Sequence, residues 1–196
     1  AIGRVSQTLG LGPHRLNRAI RPSWFFDNAA FGGILTDIAS HQIDQFLFFT
    51  GASDAEIVAS SVANRGLPDV PGFEDFGEVM LRTADASAYV RVDWFTPDGL
   101  PTWGDGRLFL LGTEGTIELR KYVDTAGRDG TDHVFLTDRD GVRHIDASGE
   151  KLTYFTRFLH DVRARTATAM PDGHALTVTR LAITAQEKAI RTGGLA

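Results

Sequence analysis

The sequence predicts an α+β domain in which a largely antiparallel open sheet carries helices on one of its faces. Three features of the 196 residues predict it. A long apolar segment lies near the start, short segments rich in valine, isoleucine, phenylalanine and tyrosine fill the middle, and two amphipathic segments close the chain. Short turns join the middle segments, whereas a parallel crossover needs about a dozen residues or more, so we expect antiparallel pairing.

The first predicted elements are a strand and a buried helix. Residues 2–9, IGRVSQTL, are predicted as a strand, and a polar, basic stretch through Arg21 follows as a loop. The segment Gly33–Thr50 is apolar over most of its length and is closed by Gly51, which favours a helix. Because the strand pattern begins at once, without a methionine, we expect the chain to start inside a structural element.

Seven further strands and two helices complete the prediction. The turn sequences DVPG, TADAS, TPDG, GTEG, AGRDG and RDG separate the strands. Apolar residues recur every three or four positions in Lys151–Arg165 and in His174–Arg191, which indicates helices. The predicted strands are Ala55–Ala63, Glu78–Thr83, Ser87–Phe95, Arg107–Gly112, Thr116–Val123, His133–Thr137 and Val142–Asp146.

The composition limits the class of protein. Hydrophobic residues at 42% and charged residues at 23% fit one globular domain over residues 1–196. A formal net charge of -5 argues against a nucleic-acid partner, and no apolar run reaches the roughly 18 residues of a membrane span. Cysteine is absent, which excludes disulfides, thiolate nucleophiles and cysteine-based zinc sites and is compatible with the cytoplasmic location that we expect.

The helix Gly33–Thr50 carries the candidate chemistry. At about 100° per residue, Asp37, His41, Asp44 and Phe48 share one narrow stripe of an otherwise apolar helix. Charged groups are costly to bury unless they are paired or useful. Asp37 and His41 are four residues apart, so their side chains can meet, and an anionic neighbour raises the basicity of an imidazole that moves a proton near neutral pH.

Other interpretations of this stripe stay open. Asp37 and His41 also fit a first-turn carboxylate beside a satisfied core histidine, since such pairs are common in structural networks. With Asp44 they offer three ligands to a metal ion. We predict no metal, because no further cluster of histidines or acids points to the same place.

The wider segment WFFDNAAFGGILTDIASHQIDQFLFFTG resembles a motif of the glucose-fructose oxidoreductase, inositol dehydrogenase and MocA (Gfo/Idh/MocA) family. In that motif a double glycine opens a helix that reads G-G-x-x-x-D-x-x-x-H-x-x-D and is closed by a glycine. EDFGEVMLRTADASAYVRVDWF is similar to the family's central hairpin, and RLFLLGTEGTIEL to its G-T-E-G turn. The motif positions here are Gly32, Gly33, Asp37, His41, Asp44 and Gly51.

The resemblance covers essentially the whole chain but only the family's second domain, which serves substrate binding and oligomerisation. The family's first domain is a Rossmann fold with a glycine-rich phosphate loop and a Glu-Lys-Pro motif that bears a catalytic lysine. Neither motif occurs here, and the pair Gly104 and Gly106 leads into a strand rather than a helix. We therefore expect the N-terminal dinucleotide-binding domain to be absent from this chain, and cofactor-binding residues are not assigned. NAD or NADP would serve the longer protein, and none is expected to bind this chain alone.

The resemblance implies an NAD(P)-dependent oxidoreductase that transfers a hydride between nicotinamide and a secondary alcohol of a sugar, inositol or related polyol. His41 would take the proton of the substrate hydroxyl. Asp37 would orient and polarise the pair that His41 and this hydroxyl form. Arg21, Trp24 and Gly33 would lie at the substrate. The structural alternatives for these three are a surface arginine, a core tryptophan and a flexible lead-in to the helix.

Two other functions stay open, a non-catalytic sugar-binding or assembly domain with the same fold and a metal-dependent hydrolase or isomerase.

The sheet also suggests a partner. The chain offers no second helical layer, and the outward-facing set in Ser87–Phe95 keeps Tyr89 and Phe95. Exposed faces with several large apolar groups typically mark an interface, and members of the family often dimerise through their sheets, so we expect a homodimer or homotetramer.

Overall fold

A computed structural model describes residues 1–171 and 173–192. Residues 193–196 of the predicted domain lie outside the described residues. One nine-stranded sheet forms the centre of the part that is described. Its strands are β1 (Val5–Pro13), β2 (Glu56–Ala63), β3 (Phe76–Arg82), β4 (Ser87–Asp93), β5 (Arg107–Gly112), β6 (Gly115–Arg120), β7 (His133–Asp138), β8 (Gly141–Asp146) and β9 (Ile190–Arg191).

The strand order is β8-β7-β6-β5-β1-β4-β3-β2-β9, which confirms a largely antiparallel open sheet. The first strand lies in the middle, where Leu9 is opposite Tyr89 of β4 in a parallel pair and opposite Phe109 of β5 in an antiparallel pair. All eight predicted strands are present, but they do not form a simple meander because β1 separates β4 from β5. The ninth strand, β9, pairs in parallel with β2 and was not predicted.

The helices are α1 (Asn28–Phe31), α2 (Ser40–Thr50), α3 (Tyr154–Ala164) and α4 (His174–Lys188), within the described residues. A π-helical segment, Leu35–Ala39, leads directly into α2, so the predicted helix is present with a wider first turn. Gly51 closes it with a φ of 71°. The prediction that the last helix continues to Arg191 is wrong, since Ala189 is extended and the chain enters β9.

The main core lies between one sheet face and a layer made by the π-helical segment, α2 and α4. The layer contributes fully buried Ile34, Leu35 and Phe46, and the sheet contributes Val90 and Val92. This packing explains why the predicted helix is apolar on most of its surface, and it confirms helices on one sheet face.

The helix α3 differs from the prediction that it also covers the sheet. Its side chains are exposed except for Asp161, and Phe155 keeps 75% of its surface. Asp161 accepts hydrogen bonds from Thr166, Thr168 and Ala169, which holds the turn after the helix. Periodicity therefore predicts this helix but not what it packs against. None of the helices described is long and apolar enough to cross a membrane.

Candidate functional site

A cavity of about 580 Å³ lies at one end of the sheet, beside the start of α2. It is bounded by the last residues of β1, by the neighbouring ends of β5, β6 and β7, and by the first turns of α2. Side chains with polar or aromatic groups line much of it, among them His14, His41, Gln42, Gln45, Trp103, Arg107, Arg120, Lys121, Tyr122, Asp132 and His133.

The structure places Asp37 and His41 on the exposed side of a helix that is otherwise buried. Ile38, Ala39 and Ile43 around them are buried, whereas both candidate residues remain exposed and His41 lines the cavity. The two are close enough to interact electrostatically. Between their side chains no hydrogen bond is found, and the π-helical turn that holds Asp37 changes the ordinary spacing of four residues.

The carboxyl of Asp37 is held between opposing influences. Partial loss of water around it raises its pKa above the usual value, while His14, Arg21 and His41 oppose the rise because their positive charge favours the anion. Raised carboxyl pKa values occur where an acid takes part in chemistry, and they also occur in structural networks. The carboxyl of Asp37 can therefore accept or release a proton next to His41.

His14 belongs to the same group of side chains, and the sequence analysis missed it. It follows β1, and its ring lies 4.5 Å from the ring of Trp103 and 5.4 Å from that of Trp94. Burial lowers the pKa of His14; the carbonyl of Gly12, Asp37 and Asp93 oppose this, and His41 adds to it. No local spacing connects a histidine after the first strand with the helix at Asp37, so only the sheet topology brings them together.

The loop that carries Trp103 is tied to the chain after β1. The guanidinium of Arg15 donates to the carbonyls of Pro97 and Leu100, at 2.9 and 2.5 Å. Backbone bridges join His14 to Gly104 and Arg15 to Phe95. These bonds keep Trp103 packed on His14 and against the ring of Tyr122, which gives the cavity a fixed aromatic wall.

The predicted substrate residues Arg21, Trp24 and Gly33 do not line the cavity. The guanidinium of Arg21 stacks on Phe25 and Trp94, with centroid distances of 4.4 and 4.9 Å, and it faces Asp37 electrostatically. Trp24 is 56% exposed, so its alternative as a core tryptophan is wrong. The substrate contacts of both residues stay predictions.

Gly33 has a packing reason for being glycine. Its φ is 91°, and a Cβ there would overlap the side chain of Gln186 on α4. Gln186 accepts a hydrogen bond from Leu35 N at 3.0 Å and donates one to the buried Glu74 at 2.9 Å. The close approach of α4 therefore accounts for Gly33 without a ligand, and its proposed substrate role rests on the resemblance.

Asp44, the second acid of the stripe, is directed elsewhere. Its carboxylate lies 2.6 Å from Nε2 of His174 on α4. Over residues 1–171 and 173–192, no three histidine, aspartate or glutamate side chains are grouped as metal ligands. The structure therefore gives no support to a metal ion shared by Asp37, His41 and Asp44.

Comparison with known proteins identifies relatives. A family model described as the GFO/IDH/MocA C-terminal domain matches residues 1–118. A proposed oxidoreductase from Erwinia carotovora atroseptica SCRI1043 is 49% identical, with 98% of this chain and 58% of that chain covered and a TM-score of 0.94. One from Thermotoga maritima is 23% identical, with 96% and 54% covered and a TM-score of 0.79.

A levoglucosan dehydrogenase, solved with NADH and levoglucosan, shares the fold at 19% identity, with 96% and 58% covered and a TM-score of 0.69. The chain thus spans somewhat more than half the length of these solved structures. No protein with a curated description matches the chain in sequence.

Proposed function

Because the chain belongs to the GFO/IDH/MocA family, we propose that it is the substrate-side, C-terminal domain of an NAD(P)-dependent oxidoreductase. The enzyme would transfer a hydride between nicotinamide and a secondary alcohol of a sugar, inositol or related polyol. The observation that carries the proposal is the position of His41, an exposed imidazole on a buried helix, at a cavity and beside Asp37. The ligand class follows the levoglucosan dehydrogenase of the same fold.

The residues of this chain would handle the proton. Oxidation of a secondary alcohol to a ketone breaks a C–H bond with loss of a hydride and an O–H bond with loss of a proton. His41 would accept the proton at its ring nitrogen, and the anionic form of Asp37 would stabilise the imidazolium that results. In the direction of reduction the same imidazolium returns the proton to the alkoxide oxygen.

The cofactor would be held elsewhere. NAD or NADP, when bound, supplies the hydride acceptor or donor. Of the glycine pairs described, Gly10 and Gly12 face Gln42 of α2, and Gly104 and Gly106 lead into β5, so neither opens a helix at a phosphate site. We infer a separate dinucleotide-binding domain that brings the nicotinamide, and a lysine, to the cavity.

The uncovered sheet face is proposed as the site of self-association. We call the open face the side of the sheet opposite the helical layer, on which Met80, Tyr89, Leu9 and Phe109 stand in one row across four strands. Met80 is 49% exposed. Leu111, which is 46% exposed, lies in the next row of the same face. A twofold contact between two such faces would form a dimer and leave the cavity on the other side free.

Kinetics of the enzyme that carries this domain would test the proposal. His41→Ala is expected to lower kcat by about 10² to 10⁴, because a positioned base is lost, and to leave cofactor affinity unchanged. The trial substrates are myo-inositol, D-glucose and levoglucosan, with NAD+ and NADP+ in turn. His160→Ala on the exposed helix α3 is the matched control and should retain full activity.

Retention of more than half the activity by His41→Ala would identify His41 as a structural residue. Absence of oxidation with every trial substrate would instead favour the non-catalytic sugar-binding or assembly domain.

A further inference from the structure

Two histidines meet on the hairpin at one edge of the sheet. The edge strand is β8, and it pairs with β7. His133 stands opposite Asp146 in this pairing, and His144 stands opposite Phe135. Because side chains alternate between the two faces of a strand, all four lie on the same face of the hairpin. Nδ1 of His133 lies 3.0 Å from Nε2 of His144.

The hydrogen bonds of His133 define which of its ring nitrogens carries a hydrogen. The side chain is 2% exposed, and its Nε2 lies 3.2 Å from the carbonyl oxygen of Gly130. A carbonyl only accepts, so Nε2 carries the hydrogen, and in the neutral ring Nδ1 keeps a lone pair. Nε2 of His144 donates to this lone pair. His133 borders the cavity, but both of its ring nitrogens already have partners.

The same geometry fits two imidazole ligands of one metal ion. Zinc binds imidazole nitrogens at about 2.0–2.1 Å, so two such nitrogens are about 2.9 Å apart at a right angle and about 3.3 Å apart at the tetrahedral angle. The 3.0 Å between His133 and His144 lies between these values. A histidine that binds a metal typically donates its other ring nitrogen to a carbonyl or carboxylate, as His133 does to Gly130. An ion can therefore replace the shared hydrogen with little movement of either ring.

The charges around the pair do not oppose a cation. Asp146 stands opposite His133 and adds a carboxylate on the same face. On the other side of His133, Arg120 of β6 is the nearest register partner. Its guanidinium is paired with Glu118 at 2.6 Å and with Asp124 at 3.3 Å, so it repels a cation less than a free charge would.

We propose that His133 and His144 form a binding site for a divalent transition-metal ion of the zinc and nickel class, with water in the remaining coordination positions. Imidazole nitrogens suit these ions, whereas magnesium and calcium favour oxygen ligands. His144 is exposed, so an ion reaches the pair from solvent. Two protein ligands are fewer than a structural zinc site uses, so we expect moderate affinity. The bound ion joins β8 to β7 and is independent of the proton transfer assigned to His41.

Nuclear magnetic resonance of the 196-residue chain with labelled histidines tests the site directly. Addition of zinc chloride, from micromolar to millimolar, should shift the Nδ1 signal of His133 and the Nε2 signal of His144 together. Magnesium chloride at the same concentrations should shift neither, because magnesium favours oxygen ligands. His160, exposed on α3, is the control and should not shift.

A variant separates the metal site from the hydrogen bond. His144→Gln keeps an N–H that can donate to His133 but removes the imidazole ligand. We expect it to bind zinc at least about tenfold more weakly in calorimetric titration. Zinc should raise the Tm of the unmodified chain and leave that of His144→Gln nearly unchanged, because only an ion that binds the folded state stabilises it. His160→Gln is the matched control and should respond as the unmodified chain does.

Three outcomes would overturn the proposal. Zinc could shift His14 or His41 and leave the hairpin histidines unchanged. The unmodified chain and His144→Gln could bind zinc equally well. Magnesium could shift His133 and His144 as much as zinc does, which would show a general attraction of cations. If His144→Gln does not fold, the zinc and magnesium shifts of the unmodified chain decide alone.

Discussion

At the scale of single residues, the site is a carboxylate shared by several partners. Asp37 interacts with His14, Arg21 and His41, and the largest of these electrostatic contributions comes from His14. A change at any one partner therefore alters the charge on Asp37 that the others experience. The pairing of Asp37 with His41 is therefore one of several interactions of this carboxylate, and of the two residues only His41 lines the cavity.

A second carboxylate allows a test of pH dependence. Asp124, in the loop between β6 and β7, accepts from Arg128 Nη1 at 2.8 Å and from Ala126 N at 3.0 Å. These bonds and the two nearby guanidiniums lower its pKa from 3.8 to about 2. At pH values above the ordinary carboxyl pKa of 3.8, the ionised Asp124 therefore stabilises the folded state. This stabilisation is lost as the pH falls towards about 2, where the carboxylate takes up a proton.

Asp124→Asn is therefore expected to lower the Tm by a few degrees at neutral pH. The difference from the unmodified chain should close as thermal unfolding is repeated at pH values approaching 2. Asp129→Asn, an exposed residue of the same loop, serves as the control and should leave the Tm nearly unchanged. A difference between Asp124→Asn and the unmodified chain that does not vary with pH would contradict the assignment.

At the scale of elements, the two adjacent glycines before the helix that carries Asp37 and His41 have different surroundings. Gly32 ends α1 with a φ of 81° and has open space where a Cβ would stand. Gly33 is buried against Gln186, which holds the first backbone amide of the π-helical segment and the buried Glu74. Glu74 also accepts from Ile34 N at 3.1 Å, so this start of the helix depends on α4.

Substitution by alanine should distinguish the two glycines. Gly32→Ala carries only the backbone cost of a positive φ, about 1 to 2 kcal/mol. Gly33→Ala adds the displacement of Gln186 from its hydrogen bonds, and we expect a total of about 3 kcal/mol or more. Urea unfolding of both variants measures the difference, and equal losses would show that the contact with Gln186 contributes little.

At the scale of the whole molecule, the sheet separates two surfaces. The helical layer lies on β1 to β4 and leaves the cavity beyond it, over the ends of β5 to β7. The open face behind is free of helices throughout the described chain. Tyr89 on that face donates to Glu78 at 2.7 Å, and burial raises its pKa to about 12, so the face already holds ordered polar groups between its apolar ones.

Self-association through the open face predicts a dimer or tetramer in light scattering at micromolar concentration. Tyr89→Glu and Met80→Glu should each weaken it at least about tenfold, because a buried unpaired charge at an interface is costly. Met80→Glu is the cleaner variant, since it leaves the Tyr89–Glu78 bond in place.

Leu176→Glu, on the exposed side of α4, is the matched control for the same change of charge. It should leave the oligomer intact. A chain that remains monomeric at high concentration, or that loses its oligomer equally with Leu176→Glu, would contradict association through the open face.

The sequence by itself determined the elements of this protein and its family. Alternation of apolar residues and turn sequences are local properties, which is why the strands from β2 to β8 and the helix before Gly51 lie within a few residues of their predicted bounds. The spacing of Asp37 and His41 is local as well, and both residues lie on the exposed side of one helix, close enough to interact electrostatically.

Only the tertiary structure decided which distant segments meet. The insertion of β1 between β4 and β5 brings His14 to Asp37 and His41, and the turn after α4 adds β9 to the sheet. The exposed apolar residues of α3 show the same limit, because periodicity describes a helix face and not its partner. Pairing across the sheet depends on the packing of side chains far apart in sequence, and no local pattern records it.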